Sequence, residues 1–190
     1  MKKLLSLAAV ASLFVASHAS AIQYTFDFTN DGLFGTYTNP QLIDDESGSI
    51  SLSASADPSS AEIQYGLLGL GIYSHFLDNV LIDNSLVSET LTLSFGTSFK
   101  FVSASIFVNE DSDTVAINVG ANNWTGDPWG LGGLVELGFI GSEISFNAVG
   151  NNDFSVMKVV VESVPDTGSS LAFLGLGVLA LVGLRRRFAK

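Results

Sequence analysis

The chain has no cysteine among its 190 residues. No disulfide can therefore hold its fold, no thiol can act as a nucleophile, and no zinc site can use thiolates. Basic residues are nearly as scarce: eight Lys+Arg stand against nineteen Asp+Glu. Six of those eight (Lys2, Lys3, Arg185, Arg186, Arg187, Lys190) lie at the chain ends, whereas only Asp166 of the acids does. Residues 22–163 thus keep only Lys100 and Lys158 and carry a formal charge near −16. Such a surface repels nucleic acid and anionic lipid, and no nucleic-acid partner is expected. Histidine is almost absent: apart from His18 near the N-terminus there is only His75, beside Tyr73 and Phe76, so no histidine pair exists to hold zinc. No Gly-x-Ser-x-Gly elbow occurs, and Gly69-x-Gly71 lacks the third glycine of a dinucleotide loop and is read as a backbone bend.

What the ends do contain is ordered. Met1-Lys2-Lys3, the apolar stretch Leu4 to Ala16, and Ser17-His18-Ala19-Ser20-Ala21 have the three regions of a secretory signal peptide. Ala19-x-Ala21 suits the small-residue pockets of signal peptidase, and cleavage there leaves Ile22 as the new N-terminus. At the other end come Val164-Pro165-Asp166-Thr167-Gly168, an uncharged run from Ser169 to Leu184, and Arg185-Arg186-Arg187. As a helix rising about 1.5 Å per residue, that run reaches roughly 24 Å, a little short of a hydrocarbon core of about 30 Å. Flanking side chains or local thinning cover such a mismatch. The arginines prefer the cytoplasmic side, which leaves the bulk of the chain outside.

Motif, short span and arginines in this order resemble the VPDSG-CTERM variant of the PEP-CTERM signals, which exosortases process in Gram-negative bacteria. Val164, Pro165, Asp166 and Gly168 match, and Thr167 replaces serine, one hydroxyl for another. The motif is also similar to the LPxTG signal of sortase substrates, with Val164 for leucine; the close spacing of Gly168 and Leu171 and the short span speak against that version. A third reading is an ordinary membrane anchor that is never cut. The resemblance implies a signal peptidase, an exosortase-like enzyme and a transient inner-membrane stage, with final delivery to the cell surface or the extracellular space.

Between the ends, residues 22–163 form one domain of sufficient length for its own core. Strict apolar–polar alternation predicts strands at Ile22–Thr29, Ser49–Ala54 and Glu89–Phe95. Further strands are predicted at Thr114–Val119, Val135–Ile140, Glu143–Ala148 and Phe154–Glu162. Phe99–Val108 carries apolar residues at both parities and is read as central and buried on both faces. Turn signals separate the strands, Gly66–Gly71 and Gly126–Gly133 read as irregular, and no helical period is present outside the termini. These features predict an all-β fold, an antiparallel sandwich of jelly-roll type. The order Gly69-Leu70-Gly71-Ile72, Leu77-Asp78-Asn79, Ser88-Glu89-Thr90-Leu91, Leu93-Ser94-Phe95 resembles ectodomains that accompany PEP-CTERM tails. That implies a secreted β-sandwich and transfers no catalytic residue.

Candidate chemistry within the domain is limited, and no enzymatic activity is expected. Asn109-Glu110-Asp111-Ser112-Asp113 in a loop could present Asp111 and Asp113 to a structural Ca²⁺, the alternative being a solvated turn. No glycine at the sixth position or glutamate at the twelfth makes it an EF-hand, and no other cofactor is called for. Asp44-Asp45-Glu46, Asp78-Asn79 and Asp83-Asn84 are lesser versions. Trp124 and Trp129, both within a Gly/Asn/Pro/Asp loop, could stack on sugar rings, or could fold back to cap the core. The function read from the sequence is a non-enzymatic surface or matrix protein. The alternative is a carbohydrate-binding module for extracellular polysaccharide, and less favoured still is a glycoside hydrolase with a carboxylate pair.

Overall fold

The computed structural model describes residues 21–29, 34–37, 39–74, 81–84, 87–110, 113–128 and 132–164. Within them Ile22–Ser163 form one compact unit built entirely from antiparallel strands. The strands in chain order are β1 Gln23–Asp27, β2 Phe34–Tyr37, β3 Gln41–Asp44, β4 Ser51–Asp57, β5 Glu62–Gly66 and β6 Gly69–Tyr73. They continue with β7 Thr90–Val108, β8 Thr114–Val119, β9 Asn122–Gly126, β10 Gly133–Val149 and β11 Phe154–Ser163. All-β antiparallel architecture is what the alternation predicts. No helix among the described residues is long and apolar enough to cross a membrane, and the signal-peptide and tail segments lie outside those residues except at Ala21 and Val164.

All eleven strands join one hydrogen-bonded sheet, so the two layers of a jelly roll are not separate sheets here. The order β2-β5-β6-β11-β7-β10-β8-β9 forms the main path; β1 pairs with β11, and β4 joins β3 to β7. A flat sheet would leave its apolar face wet. With no helix among the described residues to cover it, the sheet must fold over on itself, and its buried side chains do form a single core cluster. Phe26 of β1 meets Phe95 of β7 edge-on at 5.5 Å between ring centroids, and Phe95 in turn meets Phe101 at 5.5 Å. Edge-to-face contacts of this kind add to the area that the rings bury.

β7 differs from its expected form in an instructive way. Two predicted strands, Glu89–Phe95 and Phe99–Val108, are one strand interrupted by the exposed residues Gly96-Thr97-Ser98. The second half is not buried on both faces: Val102 and Phe107 are half-buried and Lys100 is exposed. Instead the buried parity changes, from Leu91, Leu93, Phe95, Phe99 and Phe101 to Ala104, Ile106 and Val108. The change coincides with irregular pairing. Ser103 and Phe101 face consecutive residues of β11 (Val160, Val161), whereas on β10 they face Glu136 and Phe139, with Leu137 and Gly138 between. An extra residue in one strand shifts the side-chain alternation by one. Gly138, at φ 75°, supplies the backbone such a bulge needs. A parity switch and two-sided burial leave the same mark on the sequence.

The strands that alternation does not predict, β2, β3, β5, β6 and β9, have four or five residues each; β1, equally short, lies within a longer alternating run. β6 falls where irregular chain and a glycine bend were expected. Gly69 has φ +102°, and a Cβ there would lie 2.2 Å from the carbonyl oxygen of Val156 on β11. The glycine lets β6 approach β11 through the single register pair Val156↔Leu70.

Two substitutions test this architecture by denaturant unfolding. Phe101, fully buried on β7, is expected to cost about 3–5 kcal/mol when truncated to Ala. Gly69→Ala, although it adds only a methyl group, is expected to destabilise by more than about 1 kcal/mol. A neutral result for either would remove the role assigned to its strand.

Candidate functional site: the exit of the C-terminal strand

The sequence motif begins where the sheet ends. β11 stops at Ser163, and Val164 follows it without regular structure and 40% exposed. Proline has no N–H to continue a ladder, and it holds the preceding residue extended, so Pro165 explains why pairing cannot run further. Pro165, Asp166, Thr167, Gly168 and Arg185–Arg187 lie outside the described residues, as does Ala19. Ala21 is exposed beside Ile22.

β11 is held on both sides. In its C-terminal half it pairs with β7 and with β1. Both basic residues of the domain serve this strand. Lys158 on β11 lies opposite Asp27 on β1 and its Nζ is 2.7 Å from the carboxylate; Lys100 on β7 lies opposite Glu162 at 3.0 Å. Directly opposed charges stabilise a strand pair. Burial alone would raise the Asp27 carboxyl, but the bonds from Lys158 and Thr29 outweigh it and hold it below the ordinary carboxylate range. The bond to Asp27 raises Lys158 correspondingly. At the last residue, Ser163 N–H donates to the Ile22 carbonyl at 2.7 Å and Ile22 N–H donates to Ser163 Oγ at 2.8 Å. The first and last residues of the domain are thus pinned together beside the motif.

At its other end β11 opens from an acidic corner. The bridge Ile82↔Phe154 brings residues 81–84 to the start of the strand. Asp83, Glu89 and Asp113 are buried there, and Asp83 N–H donates to Glu89 Oε2 at 3.1 Å. Burial and the neighbouring Asp113 and Asp83 push the Asp153 carboxyl up, with Glu110 adding to the effect and a bond to Asn109 opposing it.

Asp113 itself closes the β7–β8 turn: its Oδ2 accepts from Asn109 N–H at 3.2 Å and Glu110 N–H at 2.9 Å. Asp111 lies outside the described residues, as do Asp78 and Asn79. Among the described residues no group of three or more candidate ligands is placed to hold a metal ion. Asp45 is likewise committed to a turn, accepting from Ser47, Ser49 and Ile50 N–H groups and from the Ser47 hydroxyl. These bonds outweigh burial and lower its carboxyl.

Trp124 sits on strand β9 rather than in a loop. It lies opposite the fully buried Ile117, half-buried and packed on the core, with its ring across Gly126. Trp129 and His75 lie outside the described residues. A cavity bounded by Tyr65, Leu68, Gly69 and Ser155 measures about 20 Å³, room for one water and no ligand.

The acidic corner gives a pH test. Because the folded-state value of Asp153 is raised, the stability it contributes is fully present below the unfolded value of about 3.9 and is lost as pH rises through the folded value. Asp153→Asn, which keeps a polar group for Asn109, is therefore expected to melt higher than the parent at pH 7. The advantage should shrink to nothing near pH 3, as followed by thermal melts across that range.

Comparison with known proteins bears on the tail. Residues 163–188 match the family model described as VPDSG-CTERM motif. No curated protein matches the chain. Among solved structures it is similar to CpGH89CBM32-5 from Clostridium perfringens in complex with GalNAc-beta-1,3-galactose, at 16% identity over 41% of this chain and 67% of that one, with a TM-score of 0.26. It is also similar to GH31 CBM32-2 bound to GalNAc, at 12% identity over 77% of this chain and 100% of that one, again with a TM-score of 0.26. Superposition this poor carries no functional argument. The matched tail does: at its C-terminus the chain carries a VPDSG-CTERM motif, the sorting signal of the PEP-CTERM-like class.

Proposed function

We propose that this is an exported, non-enzymatic surface or matrix protein whose β domain is displayed outside the inner membrane and released from it by an exosortase-like enzyme. The observation that carries the reading is the family match at residues 163–188, which starts at the last residue of β11. In this reading signal peptidase cuts after Ala21, residues 22–163 fold as the displayed domain, and Ser169–Leu184 spans the membrane with Arg185–Arg187 on the cytoplasmic side. Processing then falls within Val164–Gly168, and the product passes to the cell surface or the extracellular polysaccharide.

The arrangement around β11 supports such a route physically. A strand paired on both sides, with its two flanking ion pairs, resists unravelling, so the enzyme meets the motif next to a stable sheet. No cofactor enters this reading. Repulsion within the acidic corner is relieved by general cation screening; a structural Ca²⁺ on Asp111 and Asp113 would instead give a Ca²⁺-specific gain in melting temperature that Mg²⁺ fails to reproduce.

Intact-mass measurement of the protein recovered from its native host is expected to show a product without Leu171–Lys190. Pro165→Ala is expected to hold the unprocessed form in the inner membrane. Released protein that still carries Arg185–Arg187 would rule the processing reading out.

A further inference from the structure

We propose that the outer face of strands β4, β7, β10, β8 and β9 is a binding surface for a neutral, hydroxyl-rich polymer, an uncharged polysaccharide chain laid across the strands. The inference rests on the exported-surface reading for where such a ligand is met; the face itself is defined independently of the tail.

The pairing registers assemble it. Ser55, Thr92, Ser145, Asn118 and Asn123 stand opposite one another in one continuous row across all five strands. The next row runs Thr90, Asn147, Ala116 and Thr125, with Asp57 at the β4 end. Alternate residues of the same strands (Leu91, Leu93, Ile117, Ile144, Phe146) are fully buried, so these rows point outward. Neighbouring positions within a row lie about 4.8 Å apart, comparable to one pyranose ring, and successive rows roughly 6.7 Å apart.

Two properties separate this face from an ordinary solvated sheet. The first is charge. Residues 22–163 carry eighteen acids, yet none stands in the first row; the rows on either side of it hold one each, Asp57 at the β4 end of the second and Glu143 opposite Ser94 in the other. The two ion pairs among the described residues lie elsewhere, flanking β11. The second property is order. Thr125 Oγ1 donates to Asn123 Oδ1 at 2.8 Å and Asn123 Nδ2 to Asn118 Oδ1 at 2.6 Å. Asn118 Nδ2 donates to Asn147 Oδ1 at 3.2 Å, and Asn147 Nδ2 to Thr90 Oγ1. Five side chains on four strands are therefore fixed in one chain of hydrogen bonds, and little rotamer freedom is left to lose on binding.

These properties select the ligand. Ser, Thr and Asn each donate and accept, as sugar hydroxyls do, and a chain laid along the first row strips no charged group of water. A formal charge near −16 on residues 22–163 opposes an anionic polymer and also a second copy of the chain. A neutral polymer meets neither penalty. An extended chain also needs no pocket.

The test uses the full chain in detergent micelles, with retention measured on cellulose, insoluble starch and a soluble galactomannan, and alginate as the anionic comparison. Retention is expected on at least one neutral polymer and not on alginate. Thr92→Lys and Thr92→Glu, opposite charges at the centre of the first row, should each weaken it by about tenfold or more. Asn123→Lys, at an exposed edge-strand position, repeats the test if the central variants fail to fold, and Thr36→Lys on β2 should leave retention unchanged. Absence of retention on every neutral polymer, retention untouched by the row variants, or a dimer in sedimentation that Thr92→Glu dissociates would each overturn the proposal. Retention lost while the tail is still processed, or the reverse, tells this inference apart from the sorting reading.

Discussion

A sheet with one apolar face, no helix among the described residues to lay on it and no disulfide to hold it has to bend over itself, and β7 is where the bend is made. Its first half pairs with β4 and β10, its second with β10 and β11. Phe95, at the junction, contacts Phe26, Phe99 and Phe101 and so ties β1 into the core. The exposed Gly96-Thr97-Ser98 and the bulge opposite Gly138 let one strand serve two parts of the curl without exposing its apolar residues. Strands β1, β3, β6 and β8 pair with one of the partners of β7, and β2, β5 and β9 extend the sheet beyond them. A loss of packing at Phe101 consequently reaches the whole sheet.

The same bend shows which features could be read from the sequence. Thr114–Val119 alternates without a break, because β8 pairs without a register shift and is buried on one face, and its bounds come out as predicted. Where the sheet is irregular, the pattern misleads. Gly96-Thr97-Ser98 looks like a turn between two strands but is a solvent-facing step within one. Phe99–Val108 looks buried on two sides because a bulge exchanges the parities. Gly141-Ser142 hides the continuity of β10 in the same way. Of the four- and five-residue strands only β1 lies in a longer alternating run; β2, β3, β5 and β9 offer too few positions for a period, and β6 exists through a backbone approach at Gly69 that composition does not reveal.

The candidate site divides along a similar line. A sorting signal is recognised as linear sequence, so Val164-Pro165-Asp166-Thr167-Gly168 and the arginines are visible in the chain itself. Sites that depend on register are not. Ser55, Thr92, Ser145, Asn118 and Asn123 are far apart in sequence and unremarkable singly; only the registers of four strand pairs line them up. Conversely, acidic clusters draw attention in sequence and prove to be turn-forming at Asp45 and Asp113, where carboxylate oxygens accept backbone N–H groups. Trp124 follows the same rule, since the register with Ile117 sets which way its ring faces.

Charge connects the strand with the tail it leads into. With only Lys100 and Lys158 available between residues 22 and 163, the domain could have paired them with any of eighteen acids. Both are placed on the seams of β11, one toward β7 and one toward β1. The terminal hydrogen bonds between Ile22 and Ser163 close the same seam at its last residue. The strand next to the sorting motif is therefore the one on which the chain concentrates its few attractive charges. In a domain dominated by self-repulsion, that is where fraying would otherwise be easiest, since a pull on the tail acts first on the final pairs of β11. The placement lets the domain remain folded up to Ser163, with Val164 exposed directly beyond it.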